Sequence, residues 1–484
     1  MKRYHYFIYL IYIIVALSMV FIQPFGNPPD EYNRFLIPEY IMNHGTLPNG
    51  YDEEIRIYGY GFSYAFQPIL PYMVQGYTMR LVSMFTDSPE ILLYTGRLVN
   101  FFLGLIMVHF VLKLSRKWFA DERLSGLFAL LILFLPQSLF VHTYINTDSC
   151  CMLSIVIMLY GLTKGIEEKF SKASCIYLSI GIILCALSYY NAYGYILSCI
   201  LLFITFYLSK RKGKLRFDAI PFLKRGLFIS TLVLLGIGWW FVRSYLLYDG
   251  DFLGLNSRDY CASLYALPEY HPDTRNTYQN QGLSIFHMLF ESDFIDLSTI
   301  SFIGAFGAMN IVTSIWIYRF YKVLFGLGIL TAVFFSLYSF KLKQETNAST
   351  QAIYRNNIFL AKLSKERPAY AVFFHANMIF CIVMPVFLSI YYSYTTDFQP
   401  QGRYLLPMLV PFGYYCVSGI GKLFRFLCNF YETHIVPKKP IKSLSSEKLF
   451  TGLCIVISIV IVLSLLITVY GYAYPYYLAN PIAP

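Results

Sequence analysis

Two adjacent carboxylates, Asp30 and Glu31, stand just beyond the first apolar run, in the segment Gly26-Asn27-Pro28-Pro29-Asp30-Glu31-Tyr32-Asn33-Arg34-Phe35. The paired prolines stiffen the backbone where the acids are presented. A carboxylate at a low-dielectric membrane surface has its pKa pushed up and suits a general base acting on a hydroxyl. The same residues also read as an ordinary helix start, with prolines ahead of acids that favour the helix dipole. A third acid, Asp148, closes the run Tyr144-Ile145-Asn146-Thr147-Asp148, where it is either part of a site or a cap for the next helix.

Two arginines sit at the edges of apolar runs. Arg243 lies in Trp239-Trp240-Phe241-Val242-Arg243-Ser244-Tyr245, ahead of Asp249 and Asp251, and Arg403 lies in Gln401-Gly402-Arg403-Tyr404. A charge in an apolar run is costly unless it faces a cavity or a partner. The forked guanidinium suits phosphate. The plainer alternatives are an Arg243 that snorkels to the interface among aromatic residues and an Arg403 that acts as a lone anchor. His44 and His271 stand apart from any HExxH or Cys/His cluster, and no metal is expected. No GxGxxG, Walker or GxSxG pattern occurs, so an activated donor has to come from the membrane rather than from a bound nucleotide.

The elements that must position these residues are membrane helices. The chain of 484 residues is 57% hydrophobic and 13% charged, against roughly 25% charged for a soluble domain. Stretches such as Tyr4 to Ile22, Leu92 to Leu112, Leu227 to Leu247 and Leu449 to Tyr470 match a bilayer core. The first of them follows Lys2 and Arg3 without a cleavage signal and reads as a retained anchor. Most of the ten cysteines fall in apolar runs, where they behave as small hydrophobes, so no disulfide framework is implied.

About eleven spans fit, with the amino terminus inside: Tyr4–Ile22, Ile91–Leu112, Leu124–Val141, Cys150–Thr163, Cys175–Tyr190, Gly194–Leu208, Gly226–Leu247, Tyr321–Phe340, Tyr370–Tyr391, Tyr404–Phe424 and Leu449–Tyr472. The net charge of +11 is segregated by loop, with Lys/Arg concentrated in alternate connections that include 341–369 and 425–448. That asymmetry marks those connections as cytoplasmic and argues against a nucleic-acid partner. Two large outer loops follow, 23–90 and 248–320, rich in Tyr, Asn, Pro, Gly and acids. Two apolar pieces, Phe66–Phe85 and Ile300–Ile317, are assigned to the outer face as juxtamembrane segments; counting both as crossings gives about thirteen spans. The expectation is an all-α polytopic membrane protein built as a single domain over 1–484.

Five pieces in order, PPDEY, INTDS, WWFVRSYLLYDGD, SFIGAFG and QGRYLLP, resemble the polytopic type-C glycosyltransferases. The resemblance implies a transferase that takes a sugar from polyprenyl phosphate on the outer side of the membrane. It further implies Asp30 as catalytic base beside Glu31, with Arg243, Arg403 and Asp148 near the donor phosphate. Arg34, Asn146, Asp249, Asp251 and Gln401 would support the acceptor or the loops. Where such relatives usually carry a histidine four residues after the Asp, this chain has Arg34. Size and composition are also similar to prophage-encoded enzymes that glucosylate O-antigen. That narrower likeness implies undecaprenyl phosphate as carrier, glucose as the sugar, a lipopolysaccharide glycan as acceptor, and a lipid-linked-sugar synthase and small flippase as functional partners, in a bacterial inner membrane with a periplasmic catalytic face. The competing class is a transporter or flippase of lipid-linked glycans. It would place ionisable groups at mid-membrane and carry inverted repeats.

Overall fold

Apolar runs headed by Ser, Asp and Pro become helices in the computed structural model of the chain, which describes residues 3–211, 214–342, 358–435 and 445–480. The helices of the first half are α1 (Arg3–Ile22), α2 (Glu31–His44), α3 (Leu70–Ser83), α4 (Pro89–Trp118), α5 (Glu122–Phe134), α6 (Pro136–Phe140), α7 (Asp148–Glu167), α8 (Lys172–Ala186), α9 (Tyr193–Phe206) and α10 (Ala219–Leu247). Then come α11 (Leu255–Tyr265), α12 (Ile285–Glu291), α13 (Phe294–Gly304), α14 (Ile315–Leu342), α15 (Ile358–Glu366), α16 (Pro368–Thr395), α17 (Leu409–Phe430), α18 (Ser446–Leu466) and α19 (Tyr474–Ala479). The caps are the ones the residue types favour. Ser88 Oγ accepts from Ile91 N at the head of α4, with Pro89 and Glu90 in its first turn and Arg116 and Lys117 in its last. Asp121 and Ser171 cap α5 and α8 in the same way.

The chain is an all-α polytopic membrane protein. Among the described residues, eight helical segments are long and apolar enough to cross a membrane, and each carries one expected span. The remaining three expected spans are helical but short. Pro136 divides 124–141 into α5 and α6, while α8 and α9 run for 15 and 14 residues. Interruptions of this kind are tolerated at membrane depth where protein rather than lipid surrounds them, and every residue of 127–163 is buried. Among the described residues, neither extra apolar piece forms by itself a helix long and apolar enough to cross a membrane. α3 covers 14 residues, about 21 Å at 1.5 Å per residue, and packs along α2. The stretch 300–317 is broken into the end of α13, a short ladder pairing Ala305–Phe306 with Ile311–Val312, and the start of α14. Parts of the two basic connections, 343–357 and 436–444, lie outside the described residues. All ten cysteines are free and buried.

At the centre stands α7, 94% buried over its apolar window, packed between α4 and α8. The end of this core that carries the two large loops is knitted by amides. Asn100 of α4 donates to Tyr144 O at 2.6 Å and Asn146 O at 3.1 Å, and accepts from Gln75 of α3 at 3.0 Å. Asn146 closes the turn before α7 by donating to Val141 O and Tyr144 O and accepting from Ser149 N.

Glu31 belongs to this scaffold. Its carboxylate and the Arg97 guanidinium form a two-pronged pair, Nε to Oε1 at 2.8 Å and Nη2 to Oε2 at 2.6 Å, with both side chains fully buried. Arg97 also donates to Val20 O and Gln23 O, and Glu31 accepts from Ile145 N. One ion pair therefore ties the end of α1, the start of α2, the middle of α4 and the turn before α7. The expected catalytic partnership of Glu31 with Asp30 does not match this placement: the two side chains diverge, and Glu31 faces the core.

A second lock joins two distant motifs. Gly402 N donates to Ser301 Oγ of α13 at 2.7 Å, and a Cβ at Gly402 would stand 1.9 Å from Phe302 N. Only glycine permits that approach, and Arg403 is the next residue.

Two outcomes follow for the purified protein in detergent. Glu31→Ala strands a buried Arg97 and is expected to cost about 3–5 kcal/mol, read as a large fall in the thermal unfolding midpoint. Gly402→Ala forces backbone from backbone and is expected to cost at least about 2 kcal/mol by the same measurement.

Candidate active site

Asp30 precedes α2 in the left-handed conformation, φ 59° and ψ 8°, and its side chain makes no cap hydrogen bond. Such a backbone is uncommon for a residue with a side chain and collects at functional positions. The carboxylate turns instead to Arg403, whose Nη2 donates to Asp30 Oδ2 while Nη1 donates to Pro29 O at 3.3 Å. On its other side stands Arg34 Nη2, 3.8 Å away and one helical turn along. Arg34 Nη1 continues to Asp148 Oδ2 at 3.8 Å and donates to Tyr72 Oη and Thr147 Oγ1, both at 3.3 Å. The result is an alternating row, Arg403, Asp30, Arg34, Asp148, in which each acid lies beside a cation.

The row is graded in exposure. Arg403 is 2% exposed, Arg34 5% and Asp148 3%, whereas the Asp30 side chain is 31% exposed and lies on the wall of a cavity of about 390 Å³. Arg34 shares that wall, together with Tyr64, Tyr189, Tyr392 and Tyr404. Segments from both large loops, 23–90 and 248–320, the turn between α8 and α9, the C-terminal end of α16 and the segment around Arg403 enclose it. The Arg34 guanidinium lies 5.3 Å from the Tyr64 ring centre and Arg403 lies 5.1 Å from that of Tyr404, so rings as well as acids hold the cations. Burial works to raise the pKa of Asp30, and Arg403 and then Arg34 outweigh it, holding the carboxyl below its usual range. Asp30 is therefore ionised at neutral pH. Each oxygen of an ionised carboxylate accepts hydrogen bonds, and one side of this group opens to the cavity.

The expected site residues divide. Asp30, Arg34, Asp148 and Arg403 come together. Arg243 does not join them: it is half-buried near the outer end of α10, donates from Nη2 to Pro48 O at 2.7 Å, and lies over the Trp240 ring at 5.3 Å. It fastens the first outer loop to α10. Asp251 accepts from Gly254 N and Ser257 N and so heads α11, and Asp249 occupies a left-handed turn position beside Gly250. Asn146 shapes the turn before α7, and Gln401 adjoins Gly402 away from the cavity wall. Arg97, the wall tyrosines and Arg258 of α11, also on the wall, carried no signal of their own in the sequence. A buried arginine inside the span of α4 was the one detectable trace, since such a charge demands a partner.

This architecture has known counterparts. The solved oligosaccharyltransferase AglB from Archaeoglobus fulgidus, in complex with an inhibitory peptide and a dolichol-phosphate, superposes with a TM-score of 0.52 over 97% of this chain and 56% of its own, at 14% identity. The apo form of the oligosaccharyltransferase from the same organism gives 0.50 over the same shares of the two chains. At that identity the likeness is one of fold, the polytopic type-C glycosyltransferase fold. GPI mannosyltransferase 4 of Saccharomyces cerevisiae is 26% identical over 224 residues, 43% of this chain and 40% of that protein. The chain thus spans about half the length, or less, of these relatives. The family model described as "Predicted membrane protein (DUF2142)" matches residues 52–411, a stretch that holds Asp148, Arg258 and Arg403 and begins after Asp30 and Arg34. With that match over most of its length, the chain belongs to the DUF2142 family of membrane proteins.

Proposed function

We propose that this protein is a membrane glycosyltransferase that moves a sugar from a polyprenyl-phosphate carrier to an acceptor hydroxyl, with Asp30 as general base. The observation that carries the reading is an ionised carboxylate, braced by two arginines, on the open wall of a tyrosine-lined cavity at the outer end of a type-C fold. A cavity of several hundred Å³ suits a sugar and its phosphate. The wall tyrosines offer flat faces and hydroxyls to sugar rings. AglB was solved with a dolichol-phosphate, which favours a lipid-borne donor.

In the reaction the acceptor oxygen attacks the anomeric carbon while Asp30 takes its proton. The bond from that carbon to the phosphate oxygen breaks, and the phosphate leaves with the electron pair. A low-pKa base fits such a step, since a hydroxyl becomes strongly acidic only as its bond to carbon forms. Arg403 aims the carboxylate, and Arg34 supplies the positive charge between Asp30 and Asp148; no metal is invoked. Undecaprenyl phosphate as carrier, glucose as sugar and a surface glycan such as O-antigen as acceptor complete the proposal. It is set at the periplasmic face of a bacterial inner membrane and depends on a synthase and a flippase that deliver the donor. The excess of Lys/Arg in the opposite connections supports that orientation.

Purified protein incubated with polyprenyl-phosphate sugar and acceptor glycan should yield glycosylated product by mass spectrometry. Asp30→Asn should abolish it while the protein stays folded in the membrane; a fully active variant sinks the assignment. Arg403→Gln removes the strongest influence lowering the Asp30 pKa, so its pKa rises toward what burial alone dictates. The acid limb of the activity profile should then move to higher pH, whereas wild type should keep its activity down to about pH 4, the ordinary carboxylate range.

A further inference from the structure

Arg403 Nη2 carries two N–H groups and uses both. One goes to Asp30 Oδ2 and the other to the Tyr404 hydroxyl at 3.2 Å. A row of hydrogen bonds leads on from there. Tyr404 Oη, having accepted from the cation, donates to Gln399 Oε1 at 2.5 Å, and Gln399 Nε2 donates to Asp397 Oδ2 at 2.6 Å. Tyr60, from the loop 23–90, closes the far end by donating to the same Asp397 oxygen at 3.4 Å.

The donors and acceptors of this row allow one direction only. An arginine only donates and a carboxylate only accepts, so the two groups between them must each accept on one side and donate on the other. A hydroxyl and a carboxamide do that. The row runs head to tail from a cation to an acid, an arrangement in which each bond polarises the next and the end bonds are charge-assisted. Gln399 is also fixed through its backbone, where its carbonyl oxygen accepts from Gln401 N at 2.7 Å and Ser393 Oγ at 3.2 Å. Gln399 and Tyr404 lie on the cavity wall, and Asp397 lies off it.

Because Asp30 and Tyr404 share Nη2, the place of that nitrogen at the carboxylate is set from the Tyr404 side. The other groups facing Asp30 are Arg34 and the hydroxyls of Tyr60, Tyr64 and Tyr72. Tyrosines ionise only at about pH 10, so at neutral pH the two arginines alone hold the Asp30 carboxyl below its usual range. We propose that Gln399, anchored by Asp397, is a positioning residue for the base: through Tyr404 it holds the Arg403 guanidinium against Asp30. Its part in catalysis rests on the transferase reading above, whereas the brace rests on the hydrogen bonds themselves.

The test follows the Asp30 carboxyl directly, by infrared titration of the full chain in lipid nanodiscs with carbon-13 in the aspartate side chains and the Asp30→Asn spectrum subtracted. Gln399→Leu cuts the row without changing its charge, so Arg403 loosens and Asp30 should protonate at higher pH than in wild type. Asp397→Ala should do the same, and there the sign is decisive. Loss of a negative charge by itself lowers the pKa of a neighbouring acid, so a rise comes only through Arg403. Asp397→Asn keeps an oxygen for Gln399 to donate to and should not raise the midpoint. In the transfer assay Gln399→Leu and Asp397→Ala should each lose about 10- to 100-fold in kcat, with the acid limb displaced to higher pH. A titration midpoint unmoved or lowered in both variants overturns the inference, and sugar transfer by wild type then leaves the transferase reading standing. A raised midpoint without transfer by wild type keeps the brace and overturns that reading. An unmoved midpoint without transfer overturns both.

Discussion

A carboxylate removed from water costs several kcal/mol unless a cation meets it, and Asp30, Glu31 and Asp148 are so placed at the end of the bundle that carries the two large loops. Asp30, Glu31 and Asp148 come from two stretches of chain more than a hundred residues apart, and every one stands beside an arginine from elsewhere. The tertiary arrangement of this end of the protein is largely the solution to that constraint. Arg97 must lie in α4 opposite the start of α2, Arg34 must look across to the head of α7, and Arg403 must be carried back against Pro29. Moving any one of these elements would leave a charge unpaired in a poorly solvated place.

The two neighbouring acids divide the work between them. Glu31, inside the first turn of α2, points into the core and is matched by two parallel hydrogen bonds, which suits permanence. Asp30, one residue earlier and in a left-handed backbone, lies between Arg403 and Arg34 with its remaining side open to the cavity. The general base proposed above needs an open side and a fixed orientation at once. The pair of prolines before it and the Gly402 approach behind it supply the second without closing the first.

The shape of the cavity follows from the same economy of space. Both large loops fold into helices and turns, and the cavity is lined by tyrosines of the first loop, of the α8–α9 turn and of α16, with Leu255 and Arg258 from the second loop. Arginines fasten these loops: Arg243 to the loop segment at Pro48, and Arg80 of α3 to the carbonyl oxygens of Met42 and Asn43. The core centred on α7 is 94% buried over its apolar window, while the cavity wall draws on α2, α16 and the loops between helices.

The sequence by itself determined which stretches cross the membrane, because hydropathy is a sum over neighbours in the chain and needs no partner to be read. It also marked Asp30, Asp148 and Arg403 as charges in places that demand an explanation. Partnership was beyond it. Asp30 and Arg403 are 373 positions apart, and nothing local says that they meet. Nor does local pattern tell that Asp30 and Glu31 diverge, since that depends on a left-handed residue at the junction and on where α4 presents Arg97. Only the packed structure puts Arg243 on a loop carbonyl away from the cavity, because the partners that satisfy a charge are set by distance in space rather than along the chain.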